Sequence, residues 1–417
     1  MDSSYKKLLK VMTLFGSVQG LSIVMNLVRA KFAAELLGPA GVGLNSIYNE
    51  TREFIHSTTN IGMDQSGTRE IARNSDTENL ADSVTLTRSW IMILAVFGML
   101  ATIVFAYPLS WMLFSDSNHI WQLVMLSPAV AFSTITCGEM TVLRGLQKMK
   151  TIAGVAVLHV VLGVATTIPI YYVWGMDGII AALVLMTFSL AVVTMIYSYR
   201  AFPPKFCFAK VFLAKGRQML VLGSSFVVAG FIANLGKLGV KAYINVNGSL
   251  DDVGLYSAGL TLTLMISNVV FASLENDFFP RLSSIFKDKN QRRLAIIRQT
   301  KLGLAIITPV TIVAIALMPW AVPILLSDEF LPIVSMAQIA SIGLIFRALY
   351  LPAALVPMAA GEPKIYLLLQ AVSYMSFVPA VILGYHYGGI TGTGVGLLIN
   401  HIMDVLVNLT VLKWRYL

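Results

Sequence analysis

Stretches of about 20 mostly apolar residues, the length that crosses a bilayer as an α-helix, follow one another through this chain from end to end. Twelve can be traced, at 9–37, 42–62, 86–107, 120–143, 152–174, 178–198, 218–245, 253–278, 299–326, 332–358, 365–386 and 390–412. The second is the least apolar, because Asn45, Asn49, Glu50, Arg52, Glu53, His56 and Asn60 interrupt it. Hydrophobic residues make up 57% of the 417 and charged residues 12%. That is about half the charged share of a soluble domain, so a soluble globular fold is excluded. The expected class is an all-α polytopic membrane protein. Lys6, Lys7 and Lys10 precede the first stretch with no small-residue cleavage site, so it reads as a retained span and not a signal peptide.

The charges fix an orientation. With the N-terminus in the cytoplasm, the loops on that side and both termini collect 24 of the 30 Lys and Arg residues. Arg88 is among them at the start of the third span, and Lys215 and Lys287 fall in the basic loops. The opposite loops, near Pro39, Asp116, Asp177, Asp251, Asp328 and Tyr387, collect none. This asymmetry is the positive-inside pattern, and it turns the net charge of +9 into a topological signal instead of a nucleic-acid one. Both termini are expected in the cytoplasm.

The outer connections are too short for a folded catalytic domain, which argues against a polymerase or ligase. No Walker A, Gly-x-Ser-x-Gly or zinc-spaced His pair is present. Cys137 and Cys207 form no disulfide framework or thiolate site, and His56, His119, His159, His386 and His401 lack ligand spacing. Neither an enzyme nor a cofactor is expected.

The chain also repeats itself. Val42-Gly43-Leu44-Asn45-Ser46 recurs as Val253-Gly254-Leu255-Tyr256-Ser257, and Arg69, Lys150, Gly178 and Leu183 recur as Arg281, Lys364, Gly392 and Leu397 at nearly the same offset. Six spans per half make the repeat parallel, about an axis along the membrane normal. The expected architecture is two six-helix lobes, 1–205 and 206–417, around a central cavity, joined by a basic hinge from Arg200 to Arg217.

Six cations lie inside the spans: Arg29, Lys31, Arg52, Lys237, Lys241 and Arg347. Each costs about 2.5–3.5 kcal/mol at the bilayer centre, so they must face a wet cavity, pair with carboxylates or snorkel. Lys31 is near enough to the outer end to snorkel. Asn45, Asn49, Arg52, His56 and Asn60 share one helical face, as do Gln19, Ser22, Asn26 and Arg29 on the first span, Asn234, Lys237 and Lys241 on the seventh, and Asn400, Asp404 and Asn408 on the twelfth. Glu50, Glu53, Glu139, Glu275 and Asp404 are available to neutralise the cations as interhelical pairs. The competing reading is an amide-lined, net cationic chamber, suited to an anionic ligand rich in hydroxyls. There Arg and Lys would hold phosphate oxygens, and Asn26, Asn45, Asn49 and Asn60 would meet sugar hydroxyls. Pro128, Pro169, Pro309, Pro352, Pro357 and Pro379 lie within spans, where they permit bends.

The segment Lys31-Phe-Ala-Ala-Glu-Leu-Leu-Gly-Pro-Ala-Gly-Val-Gly-Leu44, with Ser249-Leu-Asp-Asp-Val-Gly-Leu255 and Phe279-Pro280-Arg281-Leu282, resembles the Wzx-type flippases. These share a two-lobed, MATE-like fold with multidrug exporters and peptidoglycan lipid flippases. The resemblance implies translocation of undecaprenyl-diphosphate-linked oligosaccharide, of O-antigen or enterobacterial-common-antigen type, by alternating access without ATP hydrolysis. It also implies an ion gradient or membrane potential as the driving force. The implied partners are the lipid-linked oligosaccharide, the bilayer, a polysaccharide polymerase and a chain-length regulator. Lys31 and Lys241 match the family's cavity cations by position. An acidic residue that some relatives carry in the eighth span aligns with Leu264 here, leaving Glu50, Glu53, His56 and Asp404 as the candidates for ion coupling. The alternative is a multidrug or cation antiporter, which would favour an acidic, aromatic pocket.

Overall fold

The computed structural model describes residues 3–416 apart from 76, 215 and 287. Lys215 and Lys287 therefore lie outside the described residues, as do the side chains of Lys6, Lys7 and Lys10. The chain is helical throughout, with no strand among the described residues. The long helices are α1 (Ser3–Thr59), α3 (Leu80–Phe114), α4 (Ile120–Gly145), α5 (Met149–Trp174), α6 (Ile179–Ala201), α8 (Arg217–Asn247), α9 (Leu250–Ser284), α10 (Lys289–Leu325), α11 (Ile333–Ala354) and α13 (Pro363–Val411). Shorter helices are α2 (Met63–Arg73), α7 (Lys210–Ala214) and α12 (Val356–Ala359).

Among the described residues, six segments are long and apolar enough to cross a membrane. Two of these, Met149–Ala201 and Lys364–Tyr416, have 53 residues each. A straight helix of that length would run about 80 Å against a hydrocarbon core of about 30 Å, so each must fold back. Between α5 and α6 a single 3-10 turn, Gly175–Gly178, reverses the chain, and the two helices pack together. Within α13 the helical geometry is lost at Gly389, whose φ of +55° lies in the left-handed region that glycine tolerates. The arms then lie so close that a Cβ on Gly392 would sit 1.9 Å from the Gly384 carbonyl oxygen. Small residues at such crossings are how helices associate in lipid, where packing replaces the hydrophobic effect. In α1 the break is at Gly38, with φ +63°.

Loss of helical geometry falls at glycines and not at the prolines. Pro128, Pro169, Pro309 and Pro379 sit inside helices whose only non-helical residue, where there is one, is a glycine elsewhere. A proline in a membrane helix frees one carbonyl that neighbours can satisfy, whereas the breaks in α1 and α13 use a positive φ. Pro352 stays within α11, and Pro357 falls in the first turn of α12.

The chain forms two compact units. Unit 1 comprises Met1–Leu37 and Asn45–Asn234, and unit 2 comprises Gly38–Leu44 and Leu235–Leu417. In unit 1, α4 is the hub and packs against α2, α3, α5 and α6 around buried Leu123, Leu126, Val130 and Val142. In unit 2, α11 is the hub and packs against α9, α10, α12 and α13 around Met336, Ala337, Ala340 and Leu344. Within unit 2 the two copies of the Val-Gly-Leu motif meet. A Cβ on Gly43 would lie 2.1 Å from the Leu250 carbonyl oxygen, and one on Gly254 would lie 1.9 Å from that of Pro39. Neither glycine admits a side chain.

Candidate functional site

In unit 1 the polar face of α1 turns toward α4. The Arg52 guanidinium donates through Nη1 to the Ser133 hydroxyl at 2.6 Å, and its Nη2 lies 3.7 Å from Glu53. Its Nε is buried without a hydrogen-bond partner. One turn further, His56 Nδ1 is 3.0 Å from the Thr134 hydroxyl. One turn before, Asn49 donates to the Asn45 carbonyl and side-chain oxygens at 3.0 and 3.1 Å, and the Tyr171 hydroxyl donates to Asn45 at 3.4 Å. The Arg29 Nη1 contacts the Met186 sulfur at 3.4 Å, a soft acceptor that leaves most of its donor capacity unused. Asn45, Asn49, Arg52 and His56 thus form one continuous polar strip, as the periodicity predicted, though part of it is spent holding α1 to α4.

Unit 2 contains a cavity of about 430 Å³. Its polar wall comes from four helices: Lys237 on α8, Ser267 and Glu275 on α9, Arg347 and Tyr350 on α11, and Gln370, Ser373, Asn400, His401, Asp404 and Asn408 on α13. Arg347 donates to the Ser267 hydroxyl at 2.7 Å, lies 3.6 Å from Glu275, and stacks 4.8 Å above the Phe271 ring. Asp404 is only 4% exposed. Asn400 donates to it at 3.4 Å, the Asn408 amide donates to its backbone carbonyl at 2.8 Å, and the Ser373 and Tyr350 hydroxyls reach its carboxylate. The Asn408 side-chain oxygen is buried and without a partner. Tyr350 also meets His401 Nδ1 at 3.4 Å. Such a chamber offers two cations, two carboxylates, amides and hydroxyls in a small volume. It is equipped to bind a polar ligand bearing charge.

The remaining expected residues fall elsewhere. Lys31 closes an i,i+4 ion pair with Glu35 at 2.8 Å, so its charge is met along its own helix and not by snorkelling alone. Lys241 is 5% exposed, Asn60 is buried, Glu50 is half-buried and Asn26 is exposed. Asn234 donates to the Ser57 hydroxyl at 2.9 Å.

One cluster escaped the sequence reading. Glu139 neutralises none of the six intramembrane cations; its partner is Arg88, counted above with the cytoplasmic-side cations and only 1% exposed. Arg88 Nε donates to both Glu139 oxygens at 3.1 Å, Nη1 donates to the Phe202 and Pro203 carbonyls at 3.1 and 2.9 Å, and Nη2 donates to Ser198 at 3.1 Å. Ser198 in turn donates to Glu139 at 2.5 Å. The burial follows from α6 ending beside α3, so that the chain leaving α6 covers the Arg88 side chain. No spacing rule couples residues 51 and 110 positions apart.

Outside the spans, two carboxylates are held below the usual range. Asp116 is lowered chiefly by its hydrogen bond with the His119 ring, and Glu362 chiefly by hydrogen bonds from Arg415. Among the described residues no three His, Cys, Asp or Glu side chains gather to hold a metal ion.

Comparison with solved structures places this architecture. The lipid II flippase MurJ in an inward closed conformation superposes with a TM-score of 0.80 at 14% identity, covering 96% of this chain and 87% of that one. An inward-facing multidrug resistance MATE family transporter of the MOP superfamily gives 0.74 at 15% identity, with 94% of each chain covered. A MOP superfamily transporter from Pyrococcus furiosus, described as having a binding pocket of reversed polarity, gives 0.64 at 16% identity, covering 97% and 94%. The fold is therefore that of the MATE and MurJ transporters. No curated protein matches by sequence. The polysaccharide biosynthesis protein family matches over residues 8–286, two thirds of the chain, and the chain belongs to that family.

Proposed function

We propose that the protein is a flippase for lipid-linked oligosaccharides of the undecaprenyl-diphosphate type, serving surface polysaccharide synthesis in a bacterial inner membrane. It works by alternating access of two six-helix lobes, twelve spans in all, divided near 205/206, with both termini in the cytoplasm and no chemical step of its own. Arg29, Lys31, Arg52, Lys237, Lys241 and Arg347 hold the diphosphate, and Asn26, Asn45, Asn49 and Asn60 meet the glycan. Glu50, Glu53, His56 or Asp404 couples transport to an ion. A polysaccharide polymerase and a chain-length regulator act on the exported unit.

The observation that carries this reading is the state of Arg52 and Arg347. Each is committed to one serine, and each has its nearest carboxylate beyond hydrogen-bond length, at 3.7 and 3.6 Å. A guanidinium with unspent donors is what a diphosphate requires, and membership of a polysaccharide biosynthesis family supports the choice of ligand. The test is reconstitution in liposomes with a lipid-linked oligosaccharide whose glycan is scored for accessibility from outside. The wild type should move the glycan across. Arg52→Ala and Lys241→Ala should not, at unchanged protein abundance. Wild-type translocation by both variants overturns the phosphate role.

A second reading is a drug or cation antiporter. It is favoured by Glu275 and Asp404 sharing the unit 2 cavity with Tyr350, Tyr366 and Tyr374, since aromatic faces and carboxylates suit organic cations. Drug susceptibility in an exporter-deficient host separates the two.

A further inference from the structure

The segment between α6 and α8 is pinned to unit 1 along its length. Arg88 holds the Phe202 and Pro203 carbonyls, the Cys207 amide donates to Ser89 at 2.9 Å, and Trp90 Nε1 donates to the Leu213 carbonyl at 3.2 Å. Phe212 turns inward onto the cluster of Met63, Leu86, Ile91 and Met219. The outward side is unusual for a linker. Phe206 and Phe208 are exposed and stack with rings parallel to within 5°, and Val211, in α7, is 82% exposed. Lys205 and Lys210 flank them, also exposed.

Position decides what such a surface meets. The strap crosses the N-terminal end of α3 and follows the C-terminal end of α6. Arg144 at the end of α4, Lys148 and Lys150 at the start of α5 and Arg200 at the end of α6 belong to the same end of the antiparallel helices of unit 1. The opposite end carries Asp116 and Asp177 and no Lys or Arg in its loops. Apolar rings beside lysines, at the basic end of long apolar helices, are the composition of an interfacial anchor. The basic surroundings select for negative charge.

We propose that this strap is a binding surface for anionic phospholipid, with Phe206, Phe208 and Val211 entering the headgroup–acyl boundary and Lys205 and Lys210 engaging headgroup phosphates. The claim is independent of what the protein transports. It is tested on the full chain in nanodiscs of phosphatidylcholine alone or with phosphatidylglycerol added, by following amide hydrogen exchange of residues 205–214. Phosphatidylglycerol should slow exchange about fivefold. The slowing should vanish in Lys205→Gln/Lys210→Gln, with the amides of α4 unchanged as a folding control. Phe206→Ser/Phe208→Ser should speed exchange in both lipids. Equal exchange of the wild type in the two lipids overturns the proposal without reference to any variant. Slowing that survives the double lysine substitution also overturns it.

Discussion

The two units use the same pair of groups with the roles exchanged. In unit 1 the hub helix α4 supplies the serine and α1 the arginine; in unit 2 the hub helix α11 supplies the arginine and α9 the serine. The bonds are nearly equal, 2.6 and 2.7 Å, and each arginine has one glutamate at the margin of contact. The units part company at the basic end. Unit 1 closes there on Arg88, whose donors reach Glu139, Ser198 and two carbonyls. Unit 2 has the exposed Arg281 donating to Gln299 at 2.9 Å, while Lys237, Glu275, Arg347 and Asp404 line open volume. Burial and unspent donor capacity are therefore separate properties here: Arg88 is buried with its donors spent on Glu139, Ser198 and two carbonyls, whereas Arg52 has a buried Nε without a partner.

Four experiments would break or sharpen that contrast. Glu139→Ala strands a buried guanidinium and should cost about 3–5 kcal/mol, read as thermal unfolding of the detergent-solubilised protein. Gln299→Ala truncates a buried side chain but leaves the exposed Arg281 guanidinium able to meet water, so it should cost less, and matching losses would erase the distinction. Next, Ser133→Ala and Ser267→Ala each remove a hydrogen bond to a charged group, worth about 1.5–3 kcal/mol. Their apparent affinities for a lipid-linked diphosphate should fall by similar factors, and a loss confined to one unit would show that the exchanged pairs are not equivalent. Glu35→Ala leaves Lys31 without its i,i+4 partner and should cost at most about 0.5 kcal/mol, with translocation unchanged unless Lys31 uses that partner to position itself.

The smallest effect is one of pH. Glu362, which accepts from Arg415 and Tyr416, has its folded-state pKa depressed, so its stabilising contribution is present above the ordinary carboxylate value and is lost as pH falls through the lowered one. Amides of 412–416 should gain exchange only in that acidic window, after correction for intrinsic rates. Gain beginning near neutrality would contradict the assignment.

What the sequence disclosed and what it hid follow a physical line. Apolar length and polar periodicity are properties of single segments, so the long helices and the polar strip of α1 could be read directly. The Asn400, Asp404 and Asn408 face is similarly local, and it does line the unit 2 cavity. Ser133, Ser267, Ser373 and Tyr350 were invisible, because a hydroxyl in an apolar span carries no signal until its partner is known. The partners of Arg88 were hidden for the same reason: they come from α4, α6 and the chain leaving α6. Repeated Val-Gly-Leu motifs pointed to duplication, but that their glycines pack against each other's segments came only from the coordinates.

Two of the hydrogen bonds from Arg88 end on main-chain carbonyls, at Phe202 and Pro203. A carbonyl is present whatever side chain accompanies it, so this attachment makes no demand on which amino acids follow α6. Substitutions along that stretch can change its outward side chains while this attachment stays in place.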